Sequence, residues 1–312
     1  MTRSTPIRRI AVLGGGFSKE RDVSLVSGRA AERALKAKGF DVSFIDVARD
    51  IPALVSAIAA AKPDVVFNAL HGRYGEDGCI QGVLEIMRVP YTHSGVLASA
   101  IAMDKPLARH IFASLGLRVA EGRVIERRSL ASGDPMARPY VVKPIDQGSS
   151  IGVHIVRDGD NLAAVEAAEA AFGERVLIEK FVPGHELTVA VMGDRPIAVT
   201  ELRPRTRFYD YEAKYTDGIT EHLVPAPIPE DVYELARQWA LAAYQELGCN
   251  GLSRADFRWD DSKPGTSGLV ILELNTQPGM TPLSLAPEQA RWAGISWPQL
   301  MTWMVENARH PS

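Results

Sequence analysis

Two strand-like runs near the carboxyl end constrain the chain most, because each sets polar residues two apart. In Ser253-Arg254-Ala255-Asp256-Phe257-Arg258-Trp259 polar and apolar residues alternate. Strand side chains alternate faces, so Arg254, Asp256 and Arg258 share one face and the other is apolar. Leu269-Val270-Ile271-Leu272-Glu273-Leu274-Asn275 is too apolar for a solvated strand, yet it ends in two polar residues on one face. Residues 260–268 between them are rich in Asp, Ser, Pro and Gly, the composition of a turn that lays the two runs antiparallel. Such a hairpin gathers Asp256, Glu273 and Asn275, an oxygen-only set of the kind Mg²⁺ accepts when phosphates and water complete its octahedron. Acidic residues at strand ends also serve as solvated or capping groups. The Pro/Gly-rich loop that follows directly, Thr276 to Pro282, favours the metal reading, since its backbone N–H groups can face an anion.

Composition narrows the classes. With 312 residues, 46% hydrophobic and 23% charged, the chain reads as globular, with two or three domains at roughly 100 to 200 residues each. A net charge of −3 leaves no basic footprint, which argues against nucleic acid as a partner. No apolar run approaches the ~20 residues that span a bilayer, and Met1 to Arg9 lacks the apolar region of a signal peptide, so the expectation is a cytoplasmic protein with no membrane partner. Cys79 and Cys249 are the only cysteines; without CxxC spacing they support neither a disulfide framework nor a thiolate zinc site.

The first ~95 residues alternate strand and helix patterns in the manner of a Rossmann-like α/β unit. Arg9 to Leu13, Phe40 to Asp46 and Pro63 to Leu70 read as strands. Leu25 to Lys38 reads as a helix with Leu25, Val26, Ala30, Ala34 and Leu35 on one stripe, and Pro52 to Ala61 as an Ala-rich helix. Ligands of open α/β sheets sit beyond the carboxyl ends of the strands, where the loops at Gly14–Glu20 and His71–Gly78 fall. Gly14-x-Gly16 is not a dinucleotide fingerprint, because Lys19 stands where the third glycine belongs, and no Walker loop is present. Glu20 can supply a carboxylate to an ammonium group or serve as a first-turn helix acid.

From Gly95 the pattern changes to one helix, Gly95 to Leu115, and then β-rich sequence. Lys105 lies on that helix, where a lone lysine is ordinarily solvated. Lys143 instead ends the apolar strand Tyr140-Val141-Val142 and precedes the small-residue loop Asp146 to Gly152, which can lie over phosphates as a flap. The same loop contains Gly148-x-Ser150-x-Gly152, a serine-hydrolase elbow pattern. An elbow needs strand, turn and helix, whereas Val153 to Val156 reads as a returning strand. His185-Glu186 begins like HExxH, but Val189 replaces the second histidine. The strand Arg175 to Val182 runs through Pro183-Gly184 into a strand at Leu187 to Met192; backbone near Lys180 and Val182 can pair with an adenine edge and Glu186 with a ribose hydroxyl. A plain domain linker is the competing reading.

Placed in order, these segments resemble the ATP-grasp D-alanine:D-alanine ligases over nearly the whole chain. The resemblance is carried by Gly14-Gly15 and Ser18 to Ser24, Leu70-His71-Gly72 with Gly75 to Gly78, Met103-Asp104-Lys105, Val142-Lys143-Pro144 and Gly148 to Gly152. It continues through Glu179-Lys180-Phe181, Tyr209 to Tyr215, Arg254-Ala255-Asp256 and Glu273 to Thr281. It implies an α/β fold, α+β in the ATP-grasp part: a Rossmann-like substrate domain over 1–95, a central ATP-grasp lobe over 96–184, and a C-terminal lobe over 185–312 carrying the metal site and a lid loop at 203–222. It implies a peptidoglycan-precursor ligase that joins two D-alanines with ATP through an acyl phosphate, acting as a homodimer; a D-alanine:D-lactate or other carboxylate–amine ligase is the alternative.

The same resemblance implies roles. Lys105, Lys143 and Lys214 contact ATP, Glu179, Lys180 and Val182 border the adenine, and Glu186 holds the ribose. Asp256, Glu273 and Asn275 hold two Mg²⁺ or Mn²⁺ ions. Glu20 takes the ammonium of the first D-alanine with Val23, His71 and Gly279 nearby, while Ser284 and Leu285 receive the second. Arg254 and Gly279 serve the developing oxyanion. Glu20, Ser149 and Tyr215 are hydrogen-bonded to one another, and Tyr215 fits the amide-forming members. Gln147, Phe181-Val182 and Pro282-Leu283 depart from the family pattern without touching a metal ligand. No side chain identifies itself as the base for the acceptor amine.

Overall fold

The computed structural model describes residues 7–148, 152–162, 173–204, 220–281 and 284–309. At the amino end the alternating pattern folds as expected into a parallel sheet. Its strands β1 (Arg9–Gly15), β2 (Asp41–Val47) and β3 (Val65–Asn68) lie in the order β2-β1-β3. Helices α1 (Arg21–Ala37), α2 (Ile51–Ala61) and α3 (Cys79–Met87) connect or follow the strands. Helix α1 starts a full turn before the expected Leu25. Its buried face runs through Val23, Ser27, Ala30, Ala31, Ala34 and Leu35, and Val26 is 52% exposed. Small residues, Ser and Gly among them, let α1 lie close on the sheet, which an apolar-only stripe overlooks.

The single helix expected from Gly95 to Leu115 is two, α4 (Val96–Met103) and α5 (Lys105–Ser114). Pro106 has no N–H to extend α4, and the Asp104 carboxylate accepts from the Leu107 N–H at 2.9 Å, so the chain stops and restarts.

A four-stranded antiparallel sheet follows, with β4 (Gly122–Glu126), β5 (Tyr140–Pro144), β6 (His154–Val156) and β7 (Arg175–Lys180) in the order β4-β7-β5-β6. The return of β6 on β5 pairs Tyr140 with Val156. The next element after β5 among the described residues is thus a returning strand and not the helix an elbow needs, and the elbow reading fails on it. This sheet has a core of its own around Leu130, Tyr140, Val142, Val156, Val176 and Ile178.

The second antiparallel sheet contains β8 (His185–Met192), β9 (Arg195–Pro204), β10 (Thr220–Leu223), β11 (Leu252–Trp259) and β12 (Leu269–Asn275), ordered β10-β9-β8-β11-β12. One face packs on α6 (Glu230–Glu246) and on Ala108 and Phe112 of α5. Helices α4 and α5 thus fall within the span expected for the central lobe, yet their apolar side shares the core of the five-stranded sheet. The opposite face joins α7 (Leu285–Trp292) and α8 (Trp297–Glu306) to β1, β3 and α1 in one continuous core. Arg309 then exchanges two backbone hydrogen bonds with Tyr91, at 2.7 and 3.0 Å.

Candidate active site

β11 and β12 pair antiparallel, with Arg254 opposite Asn275 and Asp256 opposite Glu273. Asp256 pairs with Glu273 and Phe257 with Ile271, so Leu272 is an extra residue, a bulge placed beside the acidic pair. Arg254 donates to both oxygens of Asp256 at 2.8 Å, a bidentate contact, and Thr188 Oγ1 on β8 donates to Oδ1 at 2.7 Å. Asn275 Oδ1 accepts from the Gln277 N–H at 2.7 Å, folding the loop after β12 back on itself. The expected oxygen set, Asp256, Glu273 and Asn275, is therefore assembled on one face of one hairpin.

Around this face lie two adjoining cavities. The first, about 620 Å³, is lined by Glu20, His71, Lys105, Arg254, Asn275 and Gly279, among others. The second, about 790 Å³, lies between the two antiparallel sheets and is lined by Lys105, Lys143, Glu179, Val182, Glu186 and Asp256, with Lys180, Phe181 and Arg258. Lys105 and Glu273 line both.

In the first cavity a chain of polar contacts fixes the wall. Ser18 Oγ donates to the His71 carbonyl at 2.7 Å and accepts from the Glu20 N–H at 3.1 Å, at the start of α1. The Glu20 side chain is 3% exposed. Any side chain on Gly72, whose φ is +69°, would collide with the Glu20 carboxylate. His71 Nδ1 lies 3.0 Å from Glu76 Oε1, and Nε2 lies 3.3 Å from Ser27 Oγ. Burial pulls the imidazolium down, but the Glu76 hydrogen bond and the charges of Glu76 and Glu20 outweigh it, so the net direction is up.

In the second cavity Lys105, expected beside ATP from the resemblance although a lone lysine is ordinarily solvated, is buried. Lys105 Nζ donates to the Gln147 carbonyl at 2.5 Å and lies 3.8 Å from Glu273 Oε2. Lys143 Nζ lies 2.5 Å from Glu179 Oε2, and Arg109 on α5 pairs with the other oxygen. Burial pushes the Glu179 carboxyl up, yet the charges of Lys143, Arg109 and Lys105 prevail and hold it below the usual range. Arg258 shapes the strand-to-strand crossing by donating to the Val182 and Gly184 carbonyls, each at 3.0 Å, and pairing with Glu186 at 3.3 Å.

Of the remaining expected residues, Val23 is buried on α1, and Ser284 and Leu285 begin α7 without lining either cavity. Ser284 Oγ accepts from the Thr281 N–H at 2.9 Å and packs against Gly279. Ser149, Lys214 and Tyr215, with most of the expected lid, lie outside the described residues. Sequence reasoning assigned no role to Arg109, Thr188, Glu76 or the buried pair Asn68–Gln277, joined at 2.9 Å. Arg109 carried a signal, being one helical turn beyond Lys105; Asn68 and Gln277 carried none.

Two antiparallel sheets that close on a lysine-lined cleft, with carboxylate and amide oxygens on the floor strands, define the ATP-grasp class. Family models for the D-ala D-ala ligase N-terminus and C-terminus match residues 52–94 and 112–306. The chain is 57% identical over 303 residues to the D-alanine--D-alanine ligase of Paramagnetospirillum magneticum, covering 97% of this chain and 99% of that one. It is 57% identical over 302 residues to that of Gluconobacter oxydans, covering 96% and 99%. Among solved structures it matches the D-alanine--D-alanine ligase of Bacillus anthracis complexed with ATP, with TM-score 0.81, 31% identity and 97% coverage of each chain. This chain belongs to the D-alanine–D-alanine ligase family.

Proposed function

We propose that the chain joins two molecules of D-alanine to D-alanyl-D-alanine at the expense of ATP, releasing ADP and phosphate, in the cytoplasm and for cell-wall precursor synthesis. The observation that carries this reading is the pair of adjoining cavities with Lys105 and Glu273 in their common wall. A nucleotide in the larger cavity points its phosphates at an amino acid in the smaller one.

Glu20 receives the ammonium of the first D-alanine and orients its carboxylate toward the shared wall. Lys105 and Lys143 neutralise the phosphate chain that this carboxylate attacks, and the products of that step are an acyl phosphate and ADP. Asp256, Glu273 and Asn275, hard oxygen donors on one strand face, suit Mg²⁺ or Mn²⁺; bound ions supply further neutralisation of the phosphates. The amine of the second D-alanine then attacks the acyl carbon and phosphate leaves. Arg254 and the Gly279 N–H stand in the cavity wall where the oxyanion develops, and each preorganised donor there is worth on the order of 2.7 to 4 kcal/mol. Val182 and Glu186 take the base and sugar, with Arg258 holding both in place.

The reading extends to assembly as a homodimer. Helices α3 and α4 pack together and carry strongly exposed apolar side chains, Ile86 at 87% and Leu97 at 72%, which a second copy of the chain would cover. The direct test is phosphate release from ATP and Mg²⁺ with and without D-alanine, with the dipeptide measured alongside. No D-alanine-dependent release would overturn the reading.

A further inference from the structure

Arg109 belongs to neither cavity lining, yet it is buried, 8% exposed, directly behind one. It projects from α5 one turn after Lys105, and α5 shares the core of the five-stranded sheet. Its guanidinium reaches across to the four-stranded sheet, where it pairs with Glu179 on β7 and donates to the Ala120 carbonyl at 2.6 Å. Glu179 is 2% exposed and also holds the Lys143 ammonium of β5.

Charge counting gives this arrangement a direction. A buried carboxylate shared by one lysine would form a neutral pair, and that lysine would meet an anion with its charge already answered. With Arg109 present, two cations share one carboxylate, and one positive charge remains for whatever enters the cavity. Beside a carboxylate this buried such a charge acts at greater strength than on the surface.

We propose that Arg109 is a positioning residue for polyphosphate binding: by answering the Glu179 carboxylate it leaves Lys143 available to the nucleotide's phosphates. The inference rests on the nucleotide site of the proposed function and goes beyond it by assigning a residue that would touch neither substrate. It predicts that Arg109 matters more for the phosphates than for the base, because Val182 and Glu186 lie outside the triad and Glu179, which also borders the base, keeps Lys143 as a partner when Arg109 is lost.

The test compares ATP with adenosine, both with Mg²⁺ present, on folded wild type, Arg109→Lys, Arg109→Gln and Arg109→Met, with binding followed by displacement of a fluorescent nucleotide analogue. The expected result is a ten- to hundredfold loss of ATP affinity in the two neutral variants, adenosine affinity within twofold of wild type, and near-complete rescue by Arg109→Lys. The KM for D-alanine should stay within twofold. Equal weakening of ATP and adenosine would mean that Arg109 only holds α5 against the sheet, and the inference would fall. Unchanged ATP affinity in whichever neutral variant folds would overturn it as well, while the functional reading stood. A wild type that binds no ATP would overturn both.

Discussion

Glu273 faces Asp256 across the β11–β12 pair, and Leu272 is the extra residue that the bulge admits beside it. The consequence is a carboxylate in the wall common to both cavities, 3.8 Å from the Lys105 ammonium. Glu273→Gln keeps the shape and removes the charge. We expect kcat to fall by about a hundredfold or more, in line with loss of a group that organises charge at the transferring phosphoryl. The unfolding midpoint should stay within ~1 °C, because the Glu273 side chain is 30% exposed. Steady-state kinetics beside a thermal melt checks both halves.

Glu20→Gln should separate the substrates. A hydrogen bond to a charged group contributes about 1.5 to 3 kcal/mol, so the KM for D-alanine should rise roughly ten- to a hundredfold while that for ATP stays within threefold. Equal increases would assign Glu20 to general architecture.

Gly184 marks the crossing between the two sheets, with φ +83° and the Trp259 carbonyl where a Cβ would go. Gly184→Ala must strain the backbone or move that strand. We expect a loss of more than about 2 kcal/mol in chemical unfolding. A several-fold higher KM for ATP should accompany it, since Val182 and Glu186 flank the residue.

His93 is buried, and burial pulls its pKa down to about 4; the Leu252 carbonyl pushes the other way and His71 adds to the fall. A depressed histidine contributes stability that is present above ~6.5 and lost as pH falls toward the folded value. The unfolded chain takes up the proton first, at a cost on the order of 3 kcal/mol between pH 7 and 4. His71, shifted upward, has its contribution fully present below ~6.5 and does not mask the effect. The φ of His93, +70°, suits asparagine, so His93→Asn should flatten the pH dependence of urea unfolding across that window.

Leu97→Asp places a charge on the exposed apolar face of α4. Equilibrium sedimentation should show a dimer for the wild type and a monomer for the variant; a monomeric wild type would remove the homodimer from the reading.

Much of this site was legible in the chain itself. Alternation in residues 253–259 and the turn-rich span after it announced the hairpin, and Gly72 and Gly184 both take the positive φ that favours glycine. Glu20, Lys143, Glu186 and Asp256 each end up lining a cavity. What escaped depends on distance in sequence and on burial. Lys105 was marked only by the family resemblance, because nothing local reveals that Gln147 and Glu273 enclose it. The break at Asp104 hid behind unbroken apolar spacing, although Pro106 and the capping carboxylate were in plain view. Arg109 and Glu179 are 70 positions apart, and no periodicity within one element connects them.

The terminal strap of Arg309 on Tyr91, together with the core common to α1, α8 and the floor of the five-stranded sheet, ties the beginning of the molecule to its end. The cavity wall that carries Glu20 and His71 and the strand that carries Arg254 and Asp256 are consequently built on one continuous core. The four-stranded sheet, with a core of its own, is joined to that body through residues 115–121 and 181–184.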